Sequence, residues 1–150
     1  NLESDYLVGA MTRFEYGREN KSKFRRYKIK SFADKPDDYA AMKEVVYRRY
    51  KRVKDENTQL PDLIIIDGGR GQLNSSINAL RELRLKIPII SIAKKNEEIY
   101  TLYEKGSLML EENSAAMLFL RKVRDRTHDY VISYNRKRRD MSLKKEFDNA

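Results

Sequence analysis

The sequence predicts an α/β domain built on a mixed sheet, with antiparallel strands first, then a parallel βαβ unit, and helices flanking the sheet. Three observations lead there. Two early segments that suit strands are separated by turn-forming residues. The run Leu63, Ile64, Ile65, Ile66 is followed by an amphipathic stretch and then by a second apolar run, the order of strand, helix and strand. A long segment after residue 114 carries large apolar side chains at helical spacing.

Residues 6–16 read as a strand, and residues 24–29 alternate large apolar and basic side chains as a second strand would. Gly17, Asn20 and Ser22 between them predict a hairpin. Pro36, Asp37 and Asp38 supply a turn and an N-cap for a helix over 39–52, where Ala40, Val45, Val46 and Tyr50 fall near helical spacing. A polar linker, residues 55–59, leads to the apolar run at 63–66, whose lack of alternation suits a strand buried on both faces. Residues 72–85 predict a helix with Leu73, Ile77, Leu80 and Leu83 inward, and residues 87–93 a second buried strand. Residues 97–110, turning at Gly106, suggest a further hairpin or short ribbon. Ser114 caps a long helix through Leu120, Val123, Tyr130 and Tyr134; beyond Arg136 the apolar stripe ends and a frayed tail is expected.

A chain of 150 residues, 40% hydrophobic and 37% charged, suits one domain spanning 1–150. No apolar run approaches the roughly 18–20 residues needed to cross a bilayer, and the amino terminus lacks the regions of a signal peptide, so no membrane partner and a cytoplasmic location are expected. There are no cysteines and one histidine, His128, which excludes disulfides, thiolate zinc sites and sites built from several imidazoles. A metal here must be held mainly by oxygen. The net charge of +9 is segregated. Residues 18–30 carry seven Lys/Arg against Glu19, residues 43–54 six against Glu44, and residues 121–145 ten against Asp125, Asp129 and Asp140, which leaves the remainder of the chain net acidic. Basic segments of this kind suit a polyanion such as nucleic acid, or else form a solvated face.

Asp67 closes an apolar strand and is followed at once by Gly68 and Gly69, so it lies at the carboxyl end of a parallel strand, where α/β proteins place their sites. The glycines allow a backbone, phosphate or metal to come close; the alternative is an aspartate that only caps the next helix. His128 shares a flank of its helix with Arg121 and Arg124, beside the inner stripe, and could orient a water or protonate a leaving oxygen, or be structural. Of Asp37 and Asp38, capping explains at least one, while phosphodiester cleavage with Mg²⁺ would need a second carboxylate near Asp67. Arg48, Arg49, Arg136, Lys137, Arg138 and Arg139 suit phosphate contact or solvated surface.

Residues 61–74, in which an apolar strand ends in Asp67-Gly68-Gly69-Arg70-Gly71-Gln72, resemble the signature of the UvrC family. Asp37 to Met42, the triplet Arg48-Arg49-Tyr50, Ala93-Lys94-Lys95, and Val123-Arg124-Asp125 through His128 look like the same family in the same order, so the resemblance covers nearly the whole chain. It implies an RNase H-like fold that uses acidic residues, a histidine and a divalent metal, Mg²⁺ or Mn²⁺, to cut the damaged strand of double-stranded DNA on the 5′ side of a lesion. Carried over by motif, Asp67 would be a catalytic carboxylate and metal ligand, His128 the catalytic histidine and Asp38 a supporting acid. Arg70, Gln72, Lys94, Lys95, Arg121 and Arg124 would join the other basic residues on DNA, and UvrB would deliver the damaged duplex.

The chain departs from the family pattern in three places. The family's first catalytic aspartate belongs to an Asp-Ile-Ser-Asn/His motif whose last residue aligns with Asn1, so that aspartate is expected just upstream; Asp5 falls at a variable position. Arg126 stands where the family usually has Glu, and Asn135 where it usually has His. The family's GIY-YIG, UvrB-binding and helix-hairpin-helix segments have no counterpart here, so an excised domain or a truncated chain is expected, weak or inactive in cutting because the upstream aspartate, a metal ligand, is missing. Two other readings are a different RNase H-like enzyme, which the Asp-Gly-Gly-Arg-Gly-Gln run argues against, and a nucleic-acid-binding domain of the same fold without catalysis.

Overall fold

β-branched side chains at Ile64, Ile65 and Ile66 favour extended backbone, and in the computed structural model, which describes residues 8–29 and 37–148, they form β5, Ile64–Asp67. The expected strand start at residues 6–7, Asp5, Lys30 and Pro36 lie outside the described residues, as does the side chain of Arg138. The chain divides into two compact units, Lys30–Glu111 and Asn1–Ile29 with Glu112–Ala150, each described by itself.

In the first of these, α1 spans Asp38–Asp55 and α2 spans Arg70–Glu82, while β5, β6 (Ile89–Ile92) and β7 (Ile99–Thr101) form one sheet in that order. β5 and β6 are parallel, pairing Ile64 with Ile89 and Asp67 with Ile92, and α2 connects them as the βαβ reading expects. β7 adds antiparallel to β6, so the sheet is mixed. The ribbon expected at 97–110 is reduced to β7 and one bridge, in which Ile99 and Leu108 exchange backbone hydrogen bonds of 2.8 and 2.7 Å.

The core gathers on the sheet face that carries Ile64, Ile66 and Ile89, against Leu73, Ile77 and Leu80 of α2 and Val46 of α1. Ile65 and Ile90, on the opposite face, are only half-buried, so β5 is fully buried on one face rather than two. Along α1, Glu44–Arg48, Lys51–Asp55 and Arg52–Glu56 make ion pairs one helical turn apart.

In the other unit, β1 (Val8–Met11) pairs antiparallel with β4 (Arg25–Lys28), from Val8 opposite Lys28 to Met11 opposite Arg25. The strand expected over 6–16 is interrupted at Thr12 and Arg13, after which β2 (Phe14–Glu15) and β3 (Arg18–Glu19) form a small hairpin of their own. Tyr16 and Gly17 make its two-residue turn, both at positive φ (53° and 78°), as a type I′ turn requires. For a tyrosine that conformation costs roughly 1–2 kcal/mol.

α3 runs Ala115–Asp148, and Ser114 caps it, its Oγ accepting from the Met117 N–H at 3.2 Å. The frayed tail expected after Arg136 is corrected: the helix continues to Asp148. Residues 136–148 contain no glycine or proline and are rich in arginine and lysine, good helix formers even without a buried stripe. Among the described residues, no helix is long and apolar enough to cross a membrane.

Leu73 has no solvent exposure and sits at the centre of the α2–sheet contact. Leu73→Ala is expected to lower stability by about 2–5 kcal/mol, read as a lower urea midpoint with an unchanged slope.

Candidate active site

Asp67 is the last residue of β5, half-buried, and the chain leaves the sheet directly after it. The Gly68 N–H still donates to the Ile92 carbonyl at 3.0 Å, extending the parallel ladder by one bond. A Cβ at Gly68 would stand 2.7 Å from Cγ of Gln72, so only glycine fits between strand and helix. Gln72 folds back to accept from the Gly69 N–H at 3.0 Å, tying the turn to the first turn of α2. The Gly69 carbonyl receives the Leu73 N–H at 3.1 Å and the hydroxyl of Ser91, a buried polar residue of β6, at 3.3 Å. The turn that follows Asp67 is therefore bonded to both β6 and α2. It precedes the positive end of α2, whose first N–H groups lack partners within the helix.

A second element reaches the same end. Asp37 caps α1, its Oδ1 accepting from the N–H groups of Tyr39 (3.0 Å) and Ala40 (3.1 Å), so Asp38 is not the cap. The Tyr39 ring lies against Gly71; a Cβ there would fall 2.6 Å from the tyrosine oxygen. This packing sets the first turn of α1, with exposed Asp38, beside the first turn of α2, the turn that follows Asp67. Lys94 and Lys95, both exposed, come two and three residues after Ile92, which is opposite Asp67 in the sheet register. One end of this unit thus collects two carboxylates, a glycine turn, a helix N-terminus and two lysines.

The donor chemistry suits a hard cation, since Mg²⁺ is commonly held by one or two carboxylates with water and substrate phosphate completing the shell. Among the described residues no group of three or more His, Cys, Asp or Glu is placed to hold an ion.

The basic residues expected on DNA fall into different circumstances. Arg70 is built into the fold: it donates to the carbonyls of Thr101 (2.9 Å), Glu104 (2.8 Å), Lys105 (3.1 Å) and Gly106 (3.0 Å). Its guanidinium also lies 4.9 Å from the centre of the Tyr100 ring. The Tyr100 hydroxyl donates to Glu98 at 2.7 Å, which keeps its proton above the ordinary phenol range. Gln72 is likewise committed, to Gly69. Arg48 pairs with Glu44, whereas Nε of Arg49 is buried without a hydrogen-bond partner. In the other unit, Arg121 donates to the Glu112 carbonyl at 2.8 Å, Arg124 meets Asp125 at 3.4 Å, and Arg136, Lys137 and Arg139 are exposed.

His128 is half-buried on α3, in the unit that does not contain Asp67. The inner stripe expected around it is present. Thr127 shares a 2.7 Å hydrogen bond with Thr12, Tyr130 packs edge-on against Phe24 at 5.1 Å, and Arg26 lies 4.2 Å from the Tyr134 ring centre. Arg126, a departure noted from sequence, pairs with Glu19 at 2.9 Å and lies over Phe24, so its charge is matched locally. Sequence reasoning missed Tyr39 and Ser91. A glycine in the first turn of a helix, as at 71, is the signal that something packs closely there, but it does not say what.

Two substitutions test this arrangement. Gly71→Ala should destabilise the chain by roughly 1–3 kcal/mol, and adding Tyr39→Ala should recover most of the loss, as measured by a denaturation double-mutant cycle. Arg70→Lys loses the planar fork that reaches four carbonyls. Amide exchange over residues 101–106 should then quicken about tenfold, on the scale of one charged hydrogen bond, with α2 unchanged.

Comparison with known proteins agrees with these features. The family model described as the UvrC RNAse H endonuclease domain matches residues 1–132. The UvrABC system protein C of Methanococcus maripaludis is 46% identical over 143 residues, covering 95% of this chain and 27% of that protein. That of Methanospirillum hungatei is 48% identical over 144 residues (96% and 28%), and that of Chlorobium chlorochromatii 44% over 144 (95% and 23%). The chain therefore spans about a quarter of the length of the curated relatives it matches. An aspartate closing a parallel strand, the glycine turn after it and a match over most of the sequence lead to one conclusion: the chain belongs to the UvrC RNase H endonuclease domain family.

Proposed function

We propose that this chain is a DNA-cutting domain of nucleotide excision repair, hydrolysing a phosphodiester on the 5′ side of a lesion in duplex DNA with the help of Mg²⁺ or Mn²⁺. The observation that carries the reading is Asp67, fixed at the carboxyl end of β5 by the Gly68–Ile92 and Gly69–Gln72 hydrogen bonds and flanked by the start of α2. In the hydrolysis a water oxygen bonds to phosphorus, the bond to the leaving sugar oxygen breaks, and that oxygen takes up a proton. A bound divalent cation would polarise the phosphate and make the attacking water more acidic. Asp67 would hold that cation with Asp38 in support, Lys94 and Lys95 would offset phosphate charge, and His128 would handle a proton. The basic segments would bind the DNA backbone, and UvrB would be the protein that presents the duplex.

A second reading is nucleic-acid binding without chemistry in this chain, for which the segregated basic stretches would suffice. The two separate on one substitution. In a UvrC-length protein carrying this domain, incubated with UvrB and a lesion-bearing duplex, Asp67→Asn should abolish Mg²⁺- or Mn²⁺-dependent incision and leave the salt dependence of DNA binding unchanged. Undiminished incision would remove Asp67 from the chemistry. Ion-independent binding with no incision by the parent protein would favour the binding reading.

A further inference from the structure

Tyr16 stands fully exposed at the tip of the β2–β3 hairpin. The turn needs two residues at positive φ, for which asparagine or aspartate followed by glycine is the ordinary solution; a tyrosine at φ 53° is a strained choice that no packing offsets. Strain held at an exposed position points to a use outside the fold.

The surroundings narrow that use. The tip is held in place: Phe14 meets Phe119 of α3 edge-on at 5.9 Å, the Lys122 ammonium donates to the Gly17 carbonyl at 3.4 Å, and Asn20 donates to Glu15 at 3.1 Å. The hairpin's two carboxylates are each matched within the unit, Glu15 by Arg13 and Glu19 by Arg126, both at 2.9 Å. Arg18, Lys21 and Lys23 are exposed close to the tip in sequence, so the aromatic ring projects from a cationic element. A rigid aromatic face beside cations suits a nucleobase, whose ring stacks while its flanking phosphates meet the positive charge.

We propose that Tyr16 is a base-stacking residue, its ring packing on an unpaired base of single-stranded or locally opened DNA while Arg18, Lys21 and Lys23 contact the adjoining phosphates. The proposal rests on the DNA-acting reading above and adds a contact that recognises unpaired bases. It also accounts for the turn chemistry: the residue that would relax the backbone would lose the ring.

The chain contains no tryptophan, so Tyr16→Trp places a single indole at the tip, which can be excited selectively over the remaining tyrosines. Titrating the whole chain with a twelve-nucleotide oligothymidylate should quench that fluorescence, and a fully paired duplex of the same length should quench it much less. By anisotropy, Tyr16→Ala should weaken single-strand binding by about 5–100-fold while leaving duplex binding within about twofold, and Tyr16→Phe should bind like the parent. Tyr16→Asn should melt at a higher temperature than the parent yet bind single strands as weakly as Tyr16→Ala. Salt-dependent single-strand binding that leaves the indole fluorescence of the Tyr16→Trp variant unquenched, together with a neutral Tyr16→Ala, would overturn the stacking proposal and leave the DNA-acting reading standing. Absence of binding to either DNA at low salt would overturn both.

Discussion

A Cβ at Gly68, where φ is 157°, would stand 2.7 Å from Cγ of Gln72, so the exit of the chain from β5 requires glycine, while a Cβ at Gly71 would meet the end of the Tyr39 side chain. Much of the candidate site follows from this steric constraint. Because Gly68 passes close beneath Gln72, that side chain can return to the Gly69 N–H; the Gly69 carbonyl is in turn bonded to Ser91 of the neighbouring strand. Because Gly71 admits a tyrosine ring, the first turn of α1 lies beside the first turn of α2, and Asp38 comes with it.

Local commitment also sorts the cations. Net charge alone would assign every arginine to a polyanion, yet several are structural members. Arg70 organises the segment from Thr101 to Gly106, Arg126 neutralises Glu19 and covers Phe24, and Arg26 spreads over Tyr134. Arginine suits these places because its planar fork satisfies carbonyls that would otherwise lack donors, and its face packs on aromatic rings. Lys94, Lys95, Arg136, Lys137 and Arg139 are instead exposed in the structure.

Much of the fold was legible from the chain because apolar periodicity reports directly on which elements bury a face. Leu73, Ile77 and Leu80 mark α2, Ile64 to Ile66 mark β5, and the cap at Asp37 is where the acidic pair before an amphipathic segment suggests. Asp67 was legible for the same reason, an acid ending an apolar strand before two glycines. Less legible were the features that depend on what lies opposite. Polarity after Arg136 reads as a loose end, although its residues are good helix formers and continue α3 to Asp148. The break at Thr12 and Arg13 leaves no trace in composition, because Phe14 and Glu15 resume the strand pattern in a separate hairpin.

The sequence by itself determined the α/β class, the parallel strand–helix–strand unit at its centre, and the place of Asp67 at the end of the first of those strands. These depend on local pattern. Only the tertiary structure decided that Gly71 receives Tyr39, that Ser91 anchors Gly69, that Arg70 serves carbonyls, and that Tyr16 is left strained in solvent. Each of these joins or fails to join groups far apart in the chain, and no spacing rule encodes a contact whose two halves are set by different elements.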